Sequence, residues 1–174
     1  SQDIKRSNIG EIELIYKQNN ENERFKLDYI FDMGTDNDNR LKLAIDYFKF
    51  LGTEDMNSLA KQEEFYKLGC DLSVSCTANN TQITLSGLSN NFKESVALLE
   101  NLLVNVVEDE EALMNLKLTE MKARIDAKLN KQMIRRAMSN YARYGANSSY
   151  TNVLSEQELD NLTSVDLVEL IHNL

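Results

Sequence analysis

Hydrophobic and polar residues alternate along residues 25–33, with an apolar side chain at every second position. This period is typical of a β-strand that buries one face. Gly34 and the polar run at residues 36–39 follow, and they supply the turn and the side-chain caps with which a helix begins. The pattern therefore predicts a strand that leads through an acidic turn into a helix.

Residues 41–51 are apolar at almost every position, with little polar interruption. A helix on the surface of a domain keeps a polar face, so this pattern predicts a helix that is buried on most sides. The pair Gly52-Thr53 ends it. Asn57 is a suitable N-cap for a second helix, and Gly69 is a suitable residue to follow its C-cap.

Two antiparallel hairpins are predicted. Residues 11–17 form a first strand, and the short polar loop after them favours a hairpin with the strand at residues 25–33. Residues 70–76 alternate in the same way and predict a third strand. Ile83 and Leu85 mark a fourth strand, and the short turn between these two strands favours the second hairpin.

The second half of the chain has the periodicity of helices. Asn90 or Asn91 is the expected cap of a long amphipathic helix, and the acidic run at residues 108–111 begins the next, where negative charge suits the helix dipole. One stripe of that second helix comprises Met114, Leu118, Met121, Ile125 and Leu129. A further amphipathic helix, with Ile134 and Tyr141 on its apolar side, is predicted to end at Gly145.

A short turn and the last helix are predicted from their N-terminal caps. Ser155 and Glu158 have the spacing of a capping box for a short turn, and Thr163 or Ser164 begins the final helix. The order is then two strands, two helices, two strands and several helices. This order favours an α+β fold, with an antiparallel sheet and helices packed on one of its faces. The length of 174 residues corresponds to one domain.

The landmarks around the buried helix resemble those of the pitrilysin/insulinase (mitochondrial-processing-peptidase-like) family of zinc metallopeptidases. In that family a strand ends in Gly, as at Gly34, and the following helix closes on Gly-Thr, as at Gly52-Thr53. The family's active helix carries the inverted zinc motif H-x-x-E-H. Counted back from Gly52-Thr53, the five motif positions hold Leu43, Ala44, Ile45, Asp46 and Tyr47.

The two ligand histidines of the motif are thus replaced by Leu43 and Tyr47, and the general-base Glu is replaced by Asp46. A catalytic zinc needs three protein ligands, usually His and carboxylate, so these positions form a degenerate motif. The family's third ligand is a Glu on a downstream helix, and Glu120 lies in a suitable region. The resemblance implies a non-catalytic domain with no catalytic residue, metal or other cofactor of its own.

The resemblance covers residues 11–174 and implies a partner. Such a domain pairs with an active zinc-bearing domain, in the same polypeptide or in a separate subunit, and the two close like a clamshell around a peptide substrate. Because the family's units end with further strands after a helix like that at residues 163–174, we expect residues 1–174 to be a fragment truncated before its last strand and sister domain. The Asn-rich and Lys-rich loops favour a bacterial source, for which a periplasmic or cell-envelope location is compatible.

The formal net charge of −9 narrows the range of partners. Nucleic acid and anionic membranes both require a basic surface, so neither is expected as a ligand. The longest apolar run is too short to span a membrane, and the first ten residues lack the apolar segment of a signal peptide. Lys131, Arg135, Arg136 and Arg143 form one basic patch. For this patch a solvated helix face or a contact with an acidic neighbouring domain is expected.

Few other residues of the chain are candidates for catalysis, a disulfide or metal binding. Cys70 and Cys76 lie on one face of one predicted strand, about 20 Å apart, which is beyond the reach of a disulfide, so both are expected to be small core residues. His172 is the only histidine, at the end of the last helix, where a cation suits the dipole. The run at residues 36–39 lacks the remaining ligands of a calcium loop and is interpreted as a turn.

Three functions are compatible with these patterns. The leading hypothesis is the non-catalytic half of a peptidase chamber, as the resemblance implies. The alternative is a stand-alone structural or interaction module of the same fold with no proteolytic partner. The third is a hydrolase with an unrecognised site, for which Asp46, Glu120 and His172 are the only candidates that the sequence offers.

Overall fold

The structure is a computed structural model that describes residues 4–148 and 150–174, with only the backbone of Asn147. Five strands and seven α-helices are present in the described residues. In chain order they are β1 (Ile4–Ile9), β2 (Ile12–Lys17), β3 (Arg24–Phe31), α1 (Leu41–Phe48), α2 (Ser58–Lys67), β4 (Cys70–Cys76), β5 (Thr81–Leu88), α3 (Phe92–Asn105), α4 (Glu110–Leu129), α5 (Lys131–Tyr144), α6 (Glu156–Asn161) and α7 (Ser164–His172).

The main sheet has three antiparallel strands in the order β3-β5-β4. Leu85 of the central strand is paired with Leu27 on one side and with Leu72 on the other. Every second residue of β5 from Thr81 to Gly87 is buried, which places one face of the sheet against the core. The predicted α+β class, with its antiparallel sheet and helices, is confirmed.

The helix α1 lies at the centre of the core. It contacts β4 and α7, while α3 contacts β5. Leu41, Ile45 and Phe48 of α1 are at most 2% exposed. Burial of one such side chain stabilises a fold by about 1.5–3 kcal/mol, so this short helix is a major source of stability. The prediction of a helix buried on most sides is confirmed.

Two glycines allow the chain to pass closely at either end of α1. A Cβ atom at Gly34 would lie 2.4 Å from the carbonyl oxygen of Ala78, and one at Gly52 would lie 2.1 Å from that of Met56. Both distances are far below a van der Waals contact, and the atoms met are backbone atoms that cannot rotate away. The two landmarks therefore fix how α1 enters and leaves the core.

The predicted pairing of the first hairpin is wrong. β2 pairs with β1, a strand that the sequence analysis missed, and the two form a separate two-stranded sheet. β3 pairs instead with β5. The connection between β1 and β2 is the two-residue turn Gly10-Glu11, in which Gly10 has a φ of 61°. Gly at the first position of a two-residue turn favours a hairpin, so Gly10 is the sequence feature that could have predicted the pairing of β1 with β2.

Most predicted helix ends are confirmed by capping hydrogen bonds. The side chains of Asn57 and Asp109 accept from backbone N–H groups of α2 and α4, and Ser155 and Thr163 form capping boxes on α6 and α7. Asn91 occupies the predicted N-cap position of α3, but its side chain makes no capping hydrogen bond. The side-chain amide of Asn91 instead donates to the carbonyl of Leu68, at 2.8 Å.

The predicted stripe of α4 exists, but it does not face the core. Met114, Leu118, Ile125 and Leu129 are 57–78% exposed, and the buried residue of this helix is Leu113. The helix α5 likewise buries none of its described side chains. No helix in the described ranges has the length and hydropathy that crossing a membrane requires.

Candidate functional site: the groove between α1 and β4

The motif positions of α1 lie in the interior. Leu43 is 6% exposed and Tyr47 is fully buried, and both belong to the main hydrophobic core with residues of β5 and α3. Leucine has no atom that can bind zinc, and the tyrosine oxygen is already used in the interior. The two positions that the resemblance assigns to the zinc ligands therefore hold side chains that stabilise the core.

The hydroxyl of Tyr47 joins α1 to the start of α4. It donates to the carbonyl oxygen of Asp109 and accepts from the backbone N–H of the same residue, each at 2.8 Å. Burial raises the pKa of Tyr47 above its usual value, so the phenol stays protonated and can donate. This reciprocal pair satisfies a polar group that would otherwise be costly to bury.

Asp46 is held between two lysines. Its carboxylate accepts from the ammonium groups of Lys42 and Lys49, each at 2.6 Å. Burial favours a higher pKa, but the hydrogen bonds from the two lysines prevail, and the pKa of Asp46 lies below its usual value. A general base works best with a pKa near the working pH, so this carboxylate is poorly suited to abstract a proton.

A cavity of about 230 Å³ opens beside these residues. Leu43 and Asp46 of α1, Glu120 and Arg124 of α4, and residues 152–154 line it. Glu120 thus lies in the same cavity as the degenerate motif. Its carboxylate accepts from Nε of Arg124 at 2.9 Å, and another guanidinium nitrogen of Arg124 donates to the carbonyl of Leu154 at 2.7 Å.

Both carboxylates of this cavity are therefore already neutralised by protein cations. A zinc ion would have to displace the guanidinium of Arg124 and the two lysine contacts of Asp46, and it would find no histidine there. Nowhere among the described residues do three His, Cys, Asp or Glu side chains come together as a metal site. His172 lies apart, exposed at the end of α7.

A second, larger hollow of about 830 Å³ lies further along α1 and β4. Its apolar lining includes Phe48, Phe65, Leu72 and Val74. We use the name α1–β4 groove for the two hollows together: each has residues of α1 and β4 in its lining, they share no lining residue, and most of the lining of the larger one comes from α2. β4 pairs with β5 alone among the described strands, so its other edge borders the groove with unpaired backbone groups.

Lys61 of α2 binds backbone carbonyls at the C-terminal end of α1. Its side chain is 4% exposed, and Nζ donates to the carbonyls of Phe48, Lys49 and Leu51 at 2.5–3.4 Å. Burial lowers the pKa of Lys61 to about 8. Lys61 is not among the site residues predicted from the sequence. The sequence feature that could have revealed its burial is its position four residues before Phe65, on the apolar side of α2.

The two cysteines are buried or partly buried, whereas the basic patch on α5 is exposed. Cys70 is buried and Cys76 is partly buried, and both are free thiols, as expected for small core residues. The thiol of Cys70 contacts the hydroxyl of Ser95 at 2.8 Å. All four cationic residues of the patch on α5 are exposed: Lys131, Arg135, Arg136 and Arg143.

Comparison with known proteins adds solved structures only, since no family model and no curated protein matches the chain. An inactive peptidase M16 domain from Pseudomonas fluorescens is 16% identical, with a TM-score of 0.82 over 97% of this chain and 42% of that one. The ferredoxin protease FusC, solved as a mutant in complex with Arabidopsis ferredoxin, is 12% identical, with a TM-score of 0.82 over 99% and 20%. The periplasmic protease PqqL from Escherichia coli is 13% identical, with a TM-score of 0.75 over 92% and 18%.

The chain therefore has the fold of a peptidase M16 domain, the class to which pitrilysin-type peptidases belong. The resemblance expected from the sequence is confirmed at the level of the fold. The chain spans less than half of the length of each of these proteins. At such low identities the likeness describes the architecture, and activity has to be argued from the residues themselves.

Proposed function

We propose that this chain is a non-catalytic peptidase-like domain of a pitrilysin/insulinase-type zinc metallopeptidase. One observation carries the proposal: Leu43 and Tyr47, which the resemblance assigns to the zinc-ligand positions, are core residues in a fold shared with an inactive M16 domain. In this proposal the chain forms one wall of a chamber, and an active domain or subunit supplies the zinc and the general base.

The α1–β4 groove is the proposed peptide-binding wall. An extended peptide can add to the free edge of β4 through backbone hydrogen bonds, which bind a peptide with little regard to its sequence. The apolar hollow beside Phe65 and Leu72 would accept alternate side chains. Such a wall contributes by positioning the peptide toward the partner's zinc, and closure of the two halves would control access.

The exposed stripe of α4 and the apolar side of α5 are the proposed contact with that partner. Large exposed apolar patches on soluble proteins mark surfaces that bind other proteins. The same surface is also the observation that favours the alternative, a stand-alone interaction module with no proteolytic partner. The two functions differ in whether the bound partner cleaves peptides.

The test is a peptidase assay with a fluorogenic peptide in three arms: this chain, an M16 domain or subunit with an intact H-x-x-E-H motif from the same source, and both together. We expect cleavage by the mixture that exceeds the sum of the separate arms and is abolished by a zinc chelator. Cleavage by this chain alone would contradict the proposal. Binding without any change in cleavage would favour the stand-alone module.

A further inference from the structure

A hollow lined by arginines lies on the polar side of α5. It has a volume of about 550 Å³, and Arg135, Arg136, Arg143 and Tyr150 are among its lining residues. No acidic residue of the described chain lines it. The helix itself carries four basic residues and no acidic one, in a chain whose net charge is −9.

These three arginines differ from three of the other four arginines of the molecule, whereas exposed Arg24 likewise forms no ion pair with a described residue. Arg6, Arg40 and Arg124 each form an ion pair, at 2.8, 2.6 and 2.9 Å. The three on α5 form none with any residue that the structure describes. Carboxylates are abundant in this chain, so the convergence of three guanidinium groups without one is a local feature and is not a consequence of composition.

One loop contributes residues both to this hollow and to the smaller hollow of the α1–β4 groove. Tyr150 lines the arginine hollow, and residues 152–154 line the cavity beside α1. A polypeptide that lies along the groove and continues past this loop would meet the guanidinium groups. Guanidinium recognises carboxylate through paired N–H donors, which an ammonium group cannot offer in the same geometry.

We propose that Arg135, Arg136 and Arg143 bind an acidic segment of the polypeptide that the groove accepts. This inference deepens the proposed function, on which it rests, by naming the class of substrate: chains with clustered Asp and Glu. The overall negative charge of the molecule repels such chains elsewhere, so the hollow would also fix the direction in which they lie.

The test is fluorescence anisotropy of the complete chain with two labelled peptides, one with Asp and Glu at alternate positions and one with Asn and Gln in their place. We expect the acidic peptide to bind more tightly and to lose affinity as salt is raised. The triple variant R135Q/R136Q/R143Q should weaken this binding at least about tenfold. The single variant R143Q should weaken it less.

The matched control is R24Q/K93Q/K122Q, which removes the same charge from exposed residues elsewhere. We expect it to stay within about twofold of the wild type, because scattered exposed charges contribute little. Equal losses in the two triple variants, or equal binding of both peptides, would overturn the proposal. Displacement of the acidic peptide by a single-stranded oligonucleotide of equal charge would overturn the ligand class in favour of phosphate.

This binding assay needs no catalytic partner, so its failure is distinguishable from failure of the proposed function. If the peptidase assay succeeds while the two peptides bind alike, the chamber stands and the acidic preference is wrong. If the acidic peptide binds through the arginines while the peptidase assay fails, the hollow is a binding site of a stand-alone module.

Discussion

The helices α1 and α5 lie at opposite extremes of burial, although both have strong apolar faces. Six of the eight residues of α1 are buried, and even its polar atoms find partners inside the fold. None of the described side chains of α5 is buried, and Met138 is 68% exposed. α1 is therefore complete within this chain, whereas α5 carries an apolar face and a set of cations that nothing described in the chain satisfies.

This difference indicates where the chain interacts with other molecules. In an active M16 domain the zinc helix must keep its ligands accessible to water and substrate, as any catalytic zinc requires an open position. Here α1, the helix that the resemblance matches to it, is part of the core, and its one partly buried carboxylate is neutralised by lysines. The surfaces that remain free to bind include the edge of β4 and the outer helices α4 and α5.

The largest expected effect is a contrast in stability between the two helices. Phe48 of α1 is 2% exposed, so Phe48→Ala should lower the free energy of unfolding by about 3–5 kcal/mol, through lost burial and the cavity left behind. Tyr141 of α5 is 56% exposed, so Tyr141→Ala should change it by no more than about 0.5 kcal/mol. Urea unfolding followed by circular dichroism measures both.

A loss in the free energy of unfolding for Tyr141→Ala as large as that for Phe48→Ala would contradict this contrast between α1 and α5. It would mean that the apolar side of α5 is covered in solution, by a second copy of the chain for example. Repeating the measurement at several protein concentrations would identify that case, because the stability of an associated form depends on concentration.

The contrast between α1 and α5 also separates what the sequence could predict from what it could not. The burial of α1 follows from an apolar run that only Lys42, Asp46 and Lys49 interrupt, and the cap at Asn57 follows from local side-chain chemistry. The exposure of α5 could not be predicted, because an amphipathic helix with an apolar face is normally packed. Periodicity reveals that a face is apolar, but it does not reveal whether the same chain covers it.

The second prediction concerns the single hydroxyl that connects α1 to α4. Tyr47→Phe removes a donor and an acceptor while it preserves the ring, so the backbone N–H and carbonyl of Asp109 lose their partner. We expect a loss of about 1–3 kcal/mol in the free energy of unfolding. The matched variant Tyr144→Phe, on exposed α5, should be neutral within about 0.5 kcal/mol. An effect of Tyr47→Phe as small as that of Tyr144→Phe would show that water replaces the hydroxyl as the hydrogen-bond partner of the Asp109 backbone.

Long-range strand pairing is the second feature of the fold that could not be predicted from the sequence. The loop between residues 17 and 24 is short enough for a hairpin, yet β3 pairs with β5, more than fifty positions away along the chain for Leu27 and Leu85. The pairing of Leu27 with Leu85 adds to a buried face, which a hairpin of β2 with β3 would not provide. The resemblance placed Glu120 in a suitable region for the third ligand, but it did not predict the cavity. The spacing of Glu120 and Arg124 is a local signal of their ion pair. The contact of Arg124 with the carbonyl of Leu154 is a tertiary contact that has no local signal.

The third prediction contrasts a buried cation of α2, Lys61, with an exposed cation of α4, Lys122. Burial lowers the pKa of Lys61 to about 8, from about 10.4 in an unfolded chain. Between these values the unfolded chain binds the proton and the folded chain does not. Stability rises with pH wherever the unfolded state binds more protons, so the wild type should gain stability relative to Lys61→Met as pH rises from about 8 to about 10.4.

The control for this pH series is Lys122→Met, on the exposed side of α4. Its stability relative to the wild type should be nearly independent of pH over the same range. A flat difference for Lys61→Met as well would mean that the three carbonyl acceptors stabilise the ammonium as much as burial penalises it. Urea unfolding of the three proteins at matched ionic strength distinguishes these outcomes.

The smallest expected effect is that of zinc on the wild-type chain. Since Leu43 and Tyr47 belong to the core and the carboxylates of Asp46 and Glu120 are paired with cations, added zinc should shift the melting temperature by less than about 1 °C. Elemental mass spectrometry of the untagged chain should find far less than one zinc per molecule. One zinc per chain would contradict the assignment of α1 as a converted zinc helix. The substitutions Asp46→Asn, Glu120→Gln and His172→Ala would then locate the metal, and they would make α1 a functional helix rather than the structural counterpart of α5.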